Sequence, residues 1–112
     1  MLDTDPHGKS QHEPGAKLDD GKITMALSLG YFYNALGEVN KVSLFGAEKY
    51  TPFGWTEVPD GINRYTEADL RHIASELSGE ELDNDSKLRH ASHHAWNSLA
   101  RLELIIRRDR NA

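Results

Sequence analysis

The sequence predicts an all-α fold: a small helical bundle of three to four main helices behind a flexible N-terminal arm, completed by oligomerisation. Three observations predict it. Apolar residues recur at helical spacing in three long stretches, no stretch shows the alternation of a half-buried strand, and 112 residues are enough for one domain but not for two. The expected boundaries are an arm over residues 1–14 and a single domain over residues 15–112.

The arm mixes Asp, His, Gly, Pro, Gln and Lys with few apolar side chains, too few to offset its ordering entropy. At its edge, Gly15-Ala16-Lys17-Leu18-Asp19-Asp20-Gly21-Lys22 sets two lysines and two aspartates among glycines, either as a solvated turn or as backbone that a ligand can approach closely. Thr24 to Gly30 reads as a short separate helix or an irregular lead-in.

From Tyr33 to Lys49 the spacing predicts a helix whose apolar stripe is Leu36, Val39, Leu44 and Ala47, with Val42 and Phe45 lying off it. Thr51 to Ile62 holds two prolines and two glycines among aromatics and reads as a loop; Phe53 and Trp55 give that loop something to cover. Asn63 to Leu77 is the next helix, with Leu70, Ile73, Ala74 and Leu77 on its apolar side and Gly79 ending it. The last helix is expected from Lys87 to Arg108 with Ser86 as its cap. Its C-terminal half is apolar nearly all round, the property from which a second subunit is inferred.

Composition removes several function classes. Cysteine is absent, which excludes a disulfide scaffold, a thiolate zinc site and a cysteine nucleophile. A net charge of -5 argues against a grip on extended nucleic acid. No apolar run approaches the ~18–20 residues that cross a bilayer, and Met1 to Ser10 is too polar for a signal peptide, so no membrane partner and a cytoplasmic setting are expected.

The chemistry-bearing residues gather late in the chain. Winding puts Tyr65, Asp69, His72 and Glu76 on one stripe of the helix from Asn63 to Leu77, and His90, His93, His94 and Asn97 on one side of the last helix, with Arg101 a turn further on. A His/Glu pair four apart is ordinarily a surface hydrogen bond, and a histidine stripe opposite an apolar one is ordinarily a solvated face. An antiparallel hairpin of the two helices would instead bring Glu76, Glu80, Asp83, His90 and His93 together around the acidic linker. Imidazole suits zinc, manganese, iron or nickel, whereas magnesium prefers the linker carboxylates Glu80, Asp83 and Asp85. No serine elbow or Walker-type glycine loop is present. The chemistry left is water attacking phosphorus beside a metal, with Lys17, Lys22, Lys49 and Arg71 as cations for phosphate.

Four blocks of sequence resemble a phage-associated family, the N-terminal domain of dATP/dGTP diphosphohydrolases. They are Gly15 to Lys22; Phe45-Gly46-Ala47-Glu48-Lys49-Tyr50; Arg64-Tyr65 with Leu70-Arg71-His72; and Ser78-Gly79-Glu80 through Asp83 to His90, His93 and Ala95-Trp96-Asn97. The resemblance implies hydrolysis of a purine deoxynucleoside triphosphate to a monophosphate and pyrophosphate, assisted by Mg2+ or Mn2+, in a homo-oligomer (dimer or tetramer) with chemistry similar to that of the MazG-like all-α pyrophosphatases. The setting would be the host cytoplasm if the chain is phage-encoded. The expected catalytic residues are Glu80, Asp83 and His72, and the expected metal ligands His72, Glu80, Asp83, His90 and His93. The nucleotide is expected on Lys17, Asp19, Lys22, Lys49, Tyr50, Trp55, Arg71 and Asn97. The chain departs from the MazG pattern in lacking a Glu-x-x-Glu pair answered by Glu-x-x-Asp, and from the family in having Gly54 before Trp55 and Glu76 where an aromatic is common. The alternatives are a nucleotide-binding protein that sequesters without hydrolysis, and an accessory protein acting through the apolar last helix alone.

Overall fold

The structure, a computed structural model, describes residues 5–112. The first four residues of the expected arm lie outside them. All regular elements among the described residues are helical: α1 (Ala26–Tyr31), α2 (Tyr33–Lys49), α3 (Gly61–Leu77) and α4 (His90–Arg110), with a 3-10 turn at Gly54–Glu57 and one isolated bridge between Leu82 and Arg89. No helix of the described residues is long and apolar enough to cross a membrane. The chain divides into two compact units, Met1–Tyr31 and Phe32–Ala112.

In the first unit the carboxylate of Asp5 closes the turns, accepting hydrogen bonds from the backbone N–H of His7 and of Lys17 at 2.7 Å each. The one helix among its described residues, α1, buries no residue, and Ile23, Met25, Leu27, Leu29 and Tyr31 are all exposed.

The second unit is built on α3 and α4. They run antiparallel, and polar side chains mark the successive steps of their seam. Near the loop that joins them His72 meets His90; next, Asp69 holds His94 and Ser98; then Arg101 donates to Thr66; last, α4 passes so close to Gly61 that a Cβ there would stand 3.0 Å from Leu104. Glycine at position 61 is what permits that approach.

Helix α2 has the expected bounds, and Leu36, Val39 and Ala47 of the expected stripe are half-buried, but the buried face is shifted. Val42 is buried and Phe45 half-buried, while Leu44 stands exposed. The partner chooses the face: α4 offers Trp96 to Ser43 and the edge of His93 to Phe45, and both positions lie beside Val42 on the helix surface.

The loop after α3 corrects the expected start of α4. Gly79, at φ 104°, terminates α3 with its N–H on the carbonyl of Glu76, as anticipated. Ser86, however, does not cap a helix. Its N–H is taken by Asp83, Lys87 adopts a left-handed φ of 64°, and α4 begins only at His90 with Arg89 extended before it. A turn held by Asp83, whose carboxylate accepts the N–H of Ser86 and whose carbonyl accepts that of Lys87, thus outcompetes helix extension through Lys87.

Candidate metal centre and nucleotide cavity

The turn at Asp83 is what creates the centre. By folding the 82–89 loop back across the end of the α3/α4 seam it delivers Asp83 to the two helical histidines, and donor atoms of His72, Asp83 and His90 lie within 4.8 Å of one another. His72 Nδ1 and His90 Nδ1 face each other at 2.8 Å. With nothing between them they share one proton; cis ligands each about 2.1 Å from one ion would stand about 3.0 Å apart, so the pair already has nearly the required spacing.

His90 is 4% exposed, and its Nε2 has no hydrogen-bond partner although Glu80 Oε1 lies 3.2 Å away. The separation permits an ion-pair contact but the alignment misses a hydrogen bond. Since Nδ1 faces the centre, Nε2 is the outer nitrogen, and a small rotation of the half-exposed Glu80 chain would make it the carboxylate that steadies a ligating histidine from behind.

His93 stacks on His72 with centroids 4.5 Å apart and planes 10° apart, and its Nε2 is 2.6 Å from Ser86 Oγ. It is outside the three-donor group, 3.9 Å from Asp83 Oδ2.

Electrostatics favour a cation here. Burial, with His93 and His90 as positive neighbours, pushes the His72 pKa down; burial also pushes His93 down, against the pull of Asp83. For Asp83 burial acts to raise the pKa, but hydrogen bonds from the backbone and hydroxyl of Ser86 and the nearby histidines outweigh it and hold the carboxyl below its usual range. Near neutral pH the group therefore offers unprotonated imidazole nitrogen beside an ionised carboxylate, the states in which these side chains ligate metal. The residues fit a divalent ion.

His93 also forms part of the wall of a cavity of about 870 Å3 between α2, the 3-10 turn, α3 and α4. That volume accommodates a nucleotide-sized ligand. Trp55, Tyr65 and Trp96 pack edge to face in its wall at centroid distances of 5.6–6.2 Å, and the Tyr65 hydroxyl donates to the carbonyl of Trp55. Arg64 and Arg71 supply positive charge, Asp60 and Glu67 negative charge, and Asn63 and Asn97 amides.

Of the residues expected to meet a nucleotide, Tyr50, Trp55, Arg71 and Asn97 line this cavity. Asn97 is buried and donates to the carbonyl of His93 one turn back, bracing it. Lys49 pairs with Asp85 at 2.6 Å and sits 5.4 Å from the centre of the Tyr50 ring. Lys17, Asp19 and Lys22 belong to the first unit, where they are exposed. Glu76 is exposed at the end of α3, and His94 leaves the histidine group to bond Asp69. Sequence reasoning passed over Tyr65 and Trp96 as binding residues, having placed one in a polar stripe and the other in an apolar one. Both stand inside the family-like blocks, Arg64-Tyr65 and Ala95-Trp96-Asn97, which is the signal that could have found them.

Residues 12–112 match the family described as dATP/dGTP diphosphohydrolase, N-terminal. The chain belongs to that family. No curated protein and no solved structure matches it. The matched span covers both the metal centre and every residue named above in the cavity wall, so family membership and site geometry concern the same part of the chain.

Proposed function

We propose that the protein is a metal-dependent nucleotide pyrophosphohydrolase that converts dATP or dGTP to the monophosphate and pyrophosphate. The carrying observation is the adjacency of two unlike sites. A two-histidine, one-carboxylate group adjoins, through His93, a cavity whose wall combines stacking rings with guanidinium groups. The family description supports the substrate class.

In this reading the purine lies against Trp55, Tyr65 and Trp96, where stacking contributes roughly 1–3 kcal/mol per base. Arg71, one residue before His72, meets the phosphates. His72, Asp83 and His90 would hold the divalent ion, with Mn2+ suiting two imidazole nitrogens better than Mg2+. When bound, the ion supplies charge neutralisation on the phosphate oxygens. Water attacks the α-phosphorus, the bond to the oxygen bridging α and β breaks, and pyrophosphate leaves with that oxygen and its electron pair. Arg64 and Arg71 offset the charge that develops there. The reading includes assembly with further copies of the chain, because α4 leaves Leu99, Leu102 and Ile106 exposed on one stripe.

The test is a panel of dNTPs with Mn2+ or Mg2+. Pyrophosphate and monophosphate are expected from dATP and dGTP, with kcat/KM falling at least about 1,000-fold in the His72→Ala, His90→Ala double variant. Pyrophosphate from no member of the panel overturns hydrolysis; nucleotide bound tightly and recovered intact would mark a sequestering protein instead.

A further inference from the structure

Ser86 touches Asp83 of the three-donor group and the His93 that stacks on another member of it, while being neither a cavity-wall residue nor a metal ligand. Its backbone N–H donates to Asp83 Oδ2 at 2.8 Å; its Oγ stands 2.6 Å from His93 Nε2 and accepts the N–H of Leu88 at 3.1 Å. His93, pinned at that nitrogen, lies flat on His72. A hydroxyl in a tight turn thus bears on one ligand directly, through its own residue's N–H, and on a second through a stacked ring.

We propose that Ser86 is the positioning residue of the metal centre, its hydroxyl fixing the plane and the proton of His93 and, through the stack, the plane of His72. The hydroxyl has two lone pairs and one hydrogen. Leu88 N–H occupies one lone pair, so either the hydroxyl donates to His93 Nε2, or His93 Nε2–H donates to the other lone pair and frees the hydroxyl hydrogen for Asp83. Either arrangement leaves His93 with one defined tautomer. Without the hydroxyl, both ring nitrogens compete for the proton and the ring is free to turn, and His72 loses the flat neighbour that holds it toward His90. Partners that steady a ligand from behind commonly change metal affinity by about 10–100-fold.

This inference rests on the metal reading, and the experiment separates the two. Wild type, Ser86→Ala and Ser86→Thr are titrated with Mn2+ by calorimetry and electron paramagnetic resonance, and the ring nitrogens of His72 and His93 are followed by NMR in the metal-free proteins. The expected results are a 10–100-fold weaker Mn2+ affinity in Ser86→Ala, shifted ring-nitrogen signals for His93, and recovery of both in Ser86→Thr. The N–H to Asp83 survives in Ser86→Ala, and loss of the Leu88 contact alone lowers the melting temperature without moving the His93 signals. Unchanged His93 signals or unchanged Mn2+ affinity in Ser86→Ala overturns the proposal. Absence of Mn2+ binding in wild type overturns the metal reading, while the metal-free spectra still decide whether Ser86 fixes His93. Should Ser86→Ala not fold, Ser86→Cys keeps the volume, weakens the hydrogen bond and is held to the same two readouts.

Discussion

The α3/α4 seam and the outer flank of α4 invert the usual distribution of residue types. In the second unit the buried polar residues are Asp69, His90, Ser92, His93 and Asn97, against only Val42 and Ala100 among the apolar ones. On the flank, Leu99, Leu102 and Ile106 stand 48%, 52% and 37% exposed around a shallow groove with Val39, Trp55 and Trp96. Burying polar groups is tolerable only when they are hydrogen-bonded, and the seam meets that condition almost throughout, His90 Nε2 excepted. The contrast teaches that the interior of this unit is organised around polar side chains, with hydrogen bonds orienting the histidines, while apolar surface that would ordinarily form a core stands exposed on α4.

The strongest way to break the contrast is at Asp69. Its two oxygens accept from His94 Nδ1 and, at 2.6 Å, from Ser98, tying α3 to α4 one turn from His72. Asp69→Ala removes both acceptors and leaves two donors at the seam, a loss of roughly 2–4 kcal/mol. For a unit of this size that lowers the melting temperature by on the order of 10–20 °C. Thermal unfolding by circular dichroism checks it; a change under about 3 °C would mean that the seam is not held by its polar steps.

These relationships also explain what the sequence revealed and what it hid. The bounds of α2, and those of α3 to within two residues, followed from apolar periodicity, which is local. The hairpin argument brought Asp83 and His90 to the linker end of the helix pair but set Glu76 and His93 beside them. His72 was not in that set and was named as a ligand through the resemblance, while the structure leaves Glu76 exposed and His93 outside the three-donor group. The start of α4 did not follow, because Ser86 has the same local chemistry in a cap as in a turn, and the carboxylate of Asp83, three residues earlier, decides between them. The buried face of α2 and the pairing of Asp69 with Ser98 were hidden for a related reason: winding assigns residues to stripes, but the neighbouring helix determines which stripe is covered.

The flank offers the next test. If a second copy covers it, Leu102→Glu places a charge in an apolar contact and forfeits about 1–3 kcal/mol of association for that side chain alone. Light scattering should give a mass above that of one chain for wild type at micromolar concentration and a lower mass for the variant, with the monomer's helicity retained. A monomeric wild type would rule out self-assembly as the reason for the exposed stripe.

Acidification probes the seam without mutation. His72 and His93 have folded pKa values pushed below the unfolded value of about 6.5, so between that pH and their folded values the unfolded chain binds more protons. Stability of the metal-free protein therefore falls as pH drops below about 6.5 and levels off once both rings are protonated in the folded state. Asp83, whose folded pKa is also depressed, adds a separate loss in the same direction at pH values below the ordinary carboxylate range. Urea midpoints at pH 8, 6.5 and 5 should decrease in that order, and a profile flat across this range would show that these rings are not held neutral by burial.

The smallest effect is expected at Lys49, where the sequence pointed to a phosphate ligand and the structure has an exposed pair with Asp85 joining the end of α2 to the metal loop. Such pairs are screened by solvent and contribute little, so Lys49→Ala should leave the melting temperature within experimental scatter. Its KM for the nucleotide should stay within about twofold of wild type, whereas Arg71→Ala, which removes a cavity guanidinium, should raise KM about tenfold. A rise in KM for Lys49→Ala matching that of Arg71→Ala would mean that the lysine exchanges Asp85 for phosphate when substrate binds. The second arm of the comparison is Asp85→Asn: it frees the lysine without deleting it, and so should lower KM if that exchange occurs and leave it unchanged if the pair only fastens the loop.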